Sequence, residues 1–132
     1  MPAVWVDFYA ETGIPAAVKV GTTLRPTGHT GETADGIFPS DPQEQVRQTF
    51  RDIALTLAEA GAAWPDVVEI NSYRVGSHAG VQILLGVAAE FLQVPFPAWT
   101  DVGVTELYVP EALVEIRCVA ELPARSSRSD LG

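Results

Sequence analysis

The chain has 132 residues, 47% of them hydrophobic and 19% charged, which suits a single domain with one core. Its formal net charge of −9 opposes binding to phosphate backbones and to anionic membranes, so we expect neither nucleic acid nor membrane as a partner. No apolar run approaches the ~20 residues of a bilayer span, and no secretory signal is expected. One cysteine, Cys118, excludes an internal disulfide and suits a cytoplasmic protein with an inert buried thiol.

The first third of the chain predicts three strands. Residues 4–9 alternate apolar and polar or aromatic side chains, which predicts a strand. Residues 16–20 and 22–27 are separated by Gly21 alone, which predicts a tight hairpin. Residues 27–36 form a loop rich in Gly and Thr that lacks the pattern of a phosphate-binding loop.

The strongest local signal is a helix start at Asp41. Asp41 is the predicted N-cap, Pro42 occupies the first helical position, and Glu44 completes a capping box. Gly61 lies where a helix of about five turns would end. Its apolar face is predicted to consist of Val46, Phe50, Ile53, Leu57 and Ala58.

The second half predicts a strand at 67–75, a helix at 81–92 capped by Ser77, and a pair of strands within 97–122 that form a hairpin. The last strand alternates. One set of side chains is predicted to face the core: Val114, Ile116, Cys118 and Ala120. The other set is mixed: Leu113, Glu115, Arg117, Val119 and Glu121.

Residues 1–122 form the predicted domain, and residues 123–132 are predicted to form a flexible tail.

These elements predict an α+β fold with an approximately six-stranded sheet and two helices on one face. The opposite face would carry the mixed side chains of the last strand, which fits self-association of several copies. Clefts between subunits are natural places for small ligands, so a small-molecule partner is expected.

Five segments carry a family resemblance. They are AVKVG at 17–21, TGH at 27–29, QVRQTFRDIALTLAEAGA at 45–62, PDVVEINSY at 65–73, and PAW with ALVEIRCVA between 97 and 120. In this order they resemble the Rid/YjgF family, also labelled L-PSP, over residues 13–120. The resemblance implies a chorismate-mutase-like fold, a homotrimer with three clefts at subunit boundaries, no cofactor, and hydrolysis of reactive enamines and imines to a keto acid and ammonia.

The resemblance assigns the cleft residues one by one. Glu115 matches the cleft glutamate, Thr27 and Gly28 match a serine-glycine pair, His29 stands where glutamine is usual, Ile14 replaces a tyrosine, and Trp99 replaces the arginine that grips a substrate carboxylate. An indole cannot replace a guanidinium, because it offers one N–H and an apolar face instead of a charged fork. This departure resembles a divergent branch of the family and implies a less anionic or aromatic ligand.

Glu115 and His29 are the predicted catalytic residues. A carboxyl in a partly apolar cleft can orient water or shuttle a proton, whereas the alternative is an ion pair with Arg117 or with an arginine of a neighbouring subunit. His29 can act as acid or base near pH 7, or can be a solvated loop histidine. His78 has no acidic neighbour in sequence, and the two histidines give no metal-site spacing.

The other candidates are predicted to bind substrate. Thr27 and Gly28 would position the ligand through a hydroxyl and a backbone N–H, or they mark a hairpin end that requires small residues. Trp99 would stack on the ligand or fill space between subunits. Arg25 and Arg117 are alternatives for a relocated cation, or are solvated strand residues.

Two functions follow from these residues. The first is an enzyme that hydrolyses or tautomerises an imine-like or enamine-like intermediate. The second is a non-catalytic trimer that sequesters a small apolar or aromatic metabolite against Trp99. A ribonuclease is disfavoured by the net charge of −9. Glu115 discriminates between the first two, because an arginine partner would favour binding or structure over chemistry.

Overall fold

The structure is a computed structural model that describes residues 3–76 and 79–123. Its helices are α1 (Ala3–Thr12), α2 (Pro42–Glu59) and α3 (Ala79–Phe91). Its strands are β1 (Ala17–Val20), β2 (Thr23–Pro26), β3 (Val67–Val75), β4 (Ala98–Val104) and β5 (Val114–Glu121). The predicted α+β class is confirmed. Ser77, His78 and residues 124–132, which include most of the predicted tail, lie outside the described residues.

The five strands form one mixed sheet in the order β1-β2-β5-β3-β4. The predicted β1–β2 hairpin is confirmed, with Gly21 at φ +60° in its turn. The predicted hairpin within 97–122 is wrong, because β3 lies between β4 and β5 and pairs with both. β4 runs parallel to β3, since α3 carries the chain back to the starting end of the sheet before β4 begins.

The predicted first strand is also wrong, because residues 4–9 lie within the helix α1. A short alternating stretch does not exclude a helix, and here Trp5 and Phe8 lie one helical turn apart with ring centroids 5.4 Å apart. Trp5 also packs on His29, at a centroid distance of 4.7 Å. Within the described residues the sheet therefore has five strands instead of about six, and a third helix is present.

Helix α2 begins at the predicted N-cap and ends at the predicted glycine, but the predicted capping box is not formed, because the Glu44 carboxylate binds two arginines instead of the Asp41 backbone N–H. The Asp41 carboxylate accepts a hydrogen bond from the Glu44 backbone N–H at 3.1 Å, and Gly61 follows the helix at φ +81°. The Glu44 carboxylate binds Arg47 at 2.6 Å and Arg51 at 2.9 Å. The buried face is Gln45, Val46, Thr49, Phe50, Ile53, Thr56 and Leu57. Ala58 is exposed, contrary to prediction, because it lies a further 100° around the helix from Leu57.

The core lies between the sheet and the helices α2 and α3, and includes the four predicted β5 residues, each at most 2% exposed. Burial raises the pKa of Cys118 to about 12, which suits the inert thiol predicted. In β3 a bulge between Val67 and Glu69 turns Val67 inward and leaves Val68 52% exposed. Among the described residues, no helix is long and apolar enough to cross a bilayer.

Candidate active site

A cavity of about 220 Å³ lies where α1, the loop after β2, α2 and the segment before β5 meet. Most of its lining surface is apolar, and five large apolar or aromatic side chains contribute to it: Trp5, Phe8, Leu55, Tyr108 and Val109. Three carboxyl groups also line it: Glu32, Asp52 and Glu115. Among the residues that the structure describes, no lysine or arginine lines the cavity. The described lining of the cavity therefore combines an apolar wall with acidic groups and offers an anionic ligand no lysine or arginine side chain.

Glu115 lies near the start of β5 on the sheet face turned away from α2 and α3, opposite Tyr73 of β3. Its side chain is half-buried, and this burial raises its pKa. Within residues 3–76 and 79–123 its carboxylate has no hydrogen-bond or ion-pair partner, and Arg117 is exposed. The alternative of an ion pair with Arg117 is therefore not seen within the chain.

Gly28 and Glu115 are in close approach. A Cβ atom on Gly28 would overlap the Glu115 carboxylate oxygen Oε2 and would lie 2.9 Å from its carboxyl carbon. The backbone of Gly28 and the Glu115 carboxylate thus form one edge of the cavity, and only glycine leaves room for this arrangement.

His29 is buried at 1% exposure, so the alternative of a solvated loop histidine is wrong. Its backbone N–H and C=O pair with Ile116 of β5 at 2.8 and 2.9 Å. Nδ1 donates to the Thr27 carbonyl at 2.6 Å, because a carbonyl can only accept, and Nε2 therefore accepts from the Thr56 hydroxyl at 2.7 Å. Burial lowers the pKa of His29 to about 4, although the Thr27 hydrogen bond opposes this shift. The ring is neutral, and both its nitrogens are engaged within the fold.

A polar stripe on α2 supports the loop that carries Gly28 and His29. Gln45, Thr49, Asp52 and Thr56 follow one another at spacings of four, three and four residues, so they share one side of the helix. A Cβ on Gly31 would overlap the Gln45 carbonyl oxygen and lie 2.7 Å from Thr49 Oγ1, so the loop lies directly on this stripe. The helical spacing of these polar side chains was the sequence signal for the stripe.

Asp52 is a cavity residue that sequence reasoning missed. Its Oδ1 accepts from Gln48 Nε2 at 2.9 Å. Burial raises the pKa of Asp52 to about 6; the charge of Glu32 adds to the shift, while the Gln48 hydrogen bond and Arg51 oppose it. Glu32 is itself held by the Thr30 hydroxyl at 2.5 Å.

The remaining predicted residues do not line the cavity. Thr27 is adjacent to it, but its hydroxyl donates to the Pro15 carbonyl at 2.7 Å. Ile14 and Arg25 are exposed. Trp99 lies on the helix-covered face of β4, where its indole N–H donates to Ser72 Oγ at 2.9 Å. The structure therefore brings Gly28, His29 and Glu115 together at the cavity. Thr27 lies next to them without lining it, and the other three predicted residues lie elsewhere.

The Trp99 ring packs against its own core instead of a cavity of this chain. Its centroid lies 6.1 Å from that of Phe96, and Ser72 in turn donates to Asp101 at 2.7 Å. Asp101 pairs with the buried Arg74, whose Nη2 lies 2.6 Å from Asp101 Oδ2. These hydrogen bonds connect the Trp99 indole through Ser72 to Asp101, which also holds the Arg74 guanidinium.

The chain matches a known protein family over most of its length. The family described as Endoribonuclease L-PSP matches residues 7–122. The chain belongs to the YjgF/L-PSP family. Within this family it is 34% identical over 123 residues to the RutC family protein YjgH of Escherichia coli K12, covering 92% of each chain. It is 30% identical over 105 residues to the 2-iminobutanoate/2-iminopropanoate deaminase of Dermatophagoides farinae, covering 78% of this chain and 80% of the relative.

Solved structures of YjgF/L-PSP proteins share the fold. Protein YJGH superposes with a TM-score of 0.83 at 32% identity, covering 95% of both chains. RidA from the Antarctic bacterium Psychrobacter sp. gives a TM-score of 0.78 at 27% identity, covering 83% of this chain and 88% of that one. The α+β fold with its mixed five-stranded sheet is therefore that of the family.

Among the described residues, no group of His, Cys, Asp and Glu could hold a metal ion.

Proposed function

We propose that the protein is a small-molecule enzyme that hydrolyses or tautomerises an imine or enamine, with Glu115 as the proton-transfer residue. The observation that carries this proposal is the Glu115 carboxyl, which is half-buried, has a raised pKa and has no partner within the described chain, yet borders a cavity. Partial burial makes this carboxyl easier to protonate than an exposed one, so it can take up a proton and later return it during a reaction. Membership of a family that includes an imine deaminase supports the reaction class.

In the hydrolytic reaction, the substrate is the protonated imine, and the Glu115 carboxylate takes a proton from water as the water oxygen bonds to the imine carbon and the carbon–nitrogen π electrons move to nitrogen. Glu115 then returns this proton to the amino nitrogen of the neutral carbinolamine as the carbon–nitrogen bond breaks, while the hydroxyl proton passes to the departing ammonia. The products are a carbonyl compound and an ammonium ion, and Glu115 is again a carboxylate. In tautomerisation, the same carboxyl would carry a proton between the nitrogen and the neighbouring carbon of an enamine.

The substrate is proposed to lack a carboxylate. The cavity has no described lysine or arginine and three carboxyl groups, so an α-imino acid would meet like charges there. Trp99, to which the resemblance assigns the position of the family's arginine, is held on the other face of the sheet by Ser72. His29 is proposed to position the loop, because both its nitrogens are already hydrogen-bonded.

A homotrimer, as the resemblance implies, would place further residues at subunit boundaries near this cavity. Binding without turnover is less well supported, because the Glu115 carboxylate is not paired with an arginine in the described chain. The ribonuclease activity named in the family description is also disfavoured, since a chain of net charge −9 gains no affinity from the phosphates of RNA.

The test uses two imines that differ by one carboxylate. An amino-acid oxidase acting on phenylalanine generates the imino acid, and an amine oxidase acting on 2-phenylethylamine generates the imine without the carboxylate. The signal of each imine is followed directly by proton NMR. We expect the protein to lower the level of the carboxylate-free imine more strongly than the level of the imino acid. Equal imine levels with and without protein, for both imines, would overturn the proposed reaction class.

A further inference from the structure

Asp52 is a second carboxyl in the cavity, and the proposed reaction does not use it. It lies on α2, whereas Glu115 lies on β5, so two separate elements place acidic groups at the same cavity. Gln48 Nε2 holds one Asp52 oxygen, Oδ1, at 2.9 Å. The other oxygen has no partner within the described chain and is available to accept a hydrogen bond from a ligand.

The negative charges of Asp52 and Glu32 repel each other. Glu32, anchored by Thr30, lines the same cavity and acts unfavourably on the Asp52 charge. Arg51 compensates in part, but its guanidinium is bound to Glu44 and does not line the cavity. A cation that entered the cavity would therefore relieve repulsion between fixed carboxylates as well as gain a hydrogen bond.

The walls suit an organic cation with an apolar body. Aromatic surfaces are supplied by Trp5, Phe8 and Tyr108. Their ring faces attract cations, and they also pack against the hydrocarbon part of a ligand. A cavity of about 150 Å³ takes a benzene molecule. The 220 Å³ here therefore has room for one aromatic ring with a short arm that carries a nitrogen.

We infer that Asp52 is a specificity-determining residue that selects ligands with a protonated amine or iminium nitrogen on a small apolar or aromatic body. The inference rests on the proposed function in placing the substrate at this cavity, and it adds the class of substrate. Asp52 acts on the charged nitrogen of the bound molecule, whereas Glu115 moves protons at the reacting bond.

The test is calorimetric binding of three ligands with the same ring and similar length: 2-phenylethylamine, 2-phenylethanol and 3-phenylpropanoate, at pH 7. We expect the amine to bind about 10-fold more tightly than the alcohol, because one charge-assisted hydrogen bond at a partly exposed site has about this effect. We expect the carboxylate to bind least tightly of the three. In Asp52→Asn the amine should lose about this factor while the alcohol binds unchanged. Asp35→Asn makes the same charge change at an exposed residue outside the cavity and should leave the preference intact.

Equal affinities of the wild type for amine and alcohol, or an undiminished amine preference in Asp52→Asn, would overturn the inference. If Asp52→Asn does not fold, Asp52→Ser carries the same expectation. These outcomes are separate from those of the imine assay. Amine-selective binding without any imine consumption would overturn the proposed reaction and leave the role of Asp52 standing.

Discussion

At the scale of single residues, the contact between Gly28 and Glu115 determines the shape of the proposed site. The carboxylate occupies the space in which any side chain at position 28 would begin. Gly28 therefore sets the position of Glu115 sterically, while the half-burial of the Glu115 carboxyl raises its pKa. Both effects depend on the turn of the chain between β2 and His29.

Gly28→Ala should displace the Glu115 carboxylate, since its new Cβ overlaps Oε2. We expect the free energy of unfolding to fall by about 1–3 kcal/mol and imine clearance to fall with it. Urea denaturation measures the first quantity. Gly86→Ala is the control, because Gly86 lies in α3 with nothing within 4 Å of the added carbon and should be neutral or stabilising. If adding Glu115→Ala to Gly28→Ala restores no stability, the steric explanation is wrong.

His29 and Asp52 should affect stability oppositely as the pH falls. The pKa of His29 is lowered from 6.5 to about 4, so its contribution is complete above pH 6.5 and is lost as the pH falls towards 4. The pKa of Asp52 is raised from 3.8 to about 6, so the cost of its buried charge is complete above pH 6 and vanishes below 3.8. Between pH 6 and 4 the two changes offset each other in the wild type.

Asp52→Asn should therefore raise the melting temperature at pH 7, and this gain should shrink to nothing by pH 4. The variant should also lose stability more steeply than the wild type between pH 6 and 4, because only the His29 effect remains. Thermal unfolding followed by circular dichroism across pH 4–7 measures both. A melting-temperature difference that does not vary with pH would contradict the raised pKa of Asp52.

The sequence alone identified part of this site. Glu115, Gly28 and His29 were found because residue type and order resemble a family, and the structure places them together. Asp52 was missed because its role depends on the loop that lies against α2, which the local sequence does not reveal. Trp99 was assigned to the right strand but not to the right face of the sheet. Its face is set by the register of β4 on β3, in which Trp99 pairs with Ile70, and the local sequence does not reveal this register.

At the scale of elements, α2 both covers the sheet and holds the site loop in place. Gln45, 2% exposed, connects its first turn to the start of β5: Oε1 accepts from the Leu113 N–H at 2.6 Å. Its Nε2 donates to the carbonyls of Glu111 and Pro39, each at 3.3 Å. One buried amide thus joins three chain segments that converge beside the cavity.

Gln45→Met keeps the approximate volume but leaves the Leu113 N–H without its acceptor. We expect a loss of about 1–3 kcal/mol in the free energy of unfolding, the cost of a buried unsatisfied donor. Gln43→Met makes the same substitution at an exposed position of the same helix and should change stability by less than about 0.5 kcal/mol. Equal effects of the two substitutions in urea denaturation would refute this role of Gln45.

The elements that sequence predicts best are those with local signals. Helix α2 has an N-cap, a proline at its first position and a terminal glycine, and β5 has a strict two-residue alternation. The helix α1 was missed because the alternation of side chains at residues 4–9 was interpreted as a strand, although so short a stretch fits a helix as well. The pairing of β4 with β3 was missed because strand order depends on the path of α3 across the sheet, and the bulge at Val68 has no signature in its run of apolar residues.

At the scale of the whole molecule, the sheet face opposite α2 and α3 presents a row of side chains from three adjacent strands. Glu115, Tyr73 and Val102 are neighbours across β5, β3 and β4. Val102 is 41% exposed. An uncovered sheet face with apolar side chains is typical of an oligomer interface, and the family resemblance implies a trimer.

Sedimentation equilibrium should therefore give a mass about three times that of the 14.1 kDa chain. Val102→Lys should shift the protein towards monomers, because it places a charge within the proposed interface. Val94→Lys is the matched control, since Val94 is 85% exposed and lies outside the sheet. A monomeric wild type would contradict the assembly while leaving the cavity within each chain.

The most direct measurement of the central claim is the rate of imine loss with wild type and with Glu115→Gln, using the carboxylate-free imine at pH 7. Glu115→Gln keeps the shape of the side chain and removes the titratable group. Glu106→Gln, at an exposed residue outside the cavity, controls for the change in net charge. We predict a loss of about 10²-fold or more for Glu115→Gln and none for Glu106→Gln. Undiminished imine clearance by folded Glu115→Gln would contradict the account.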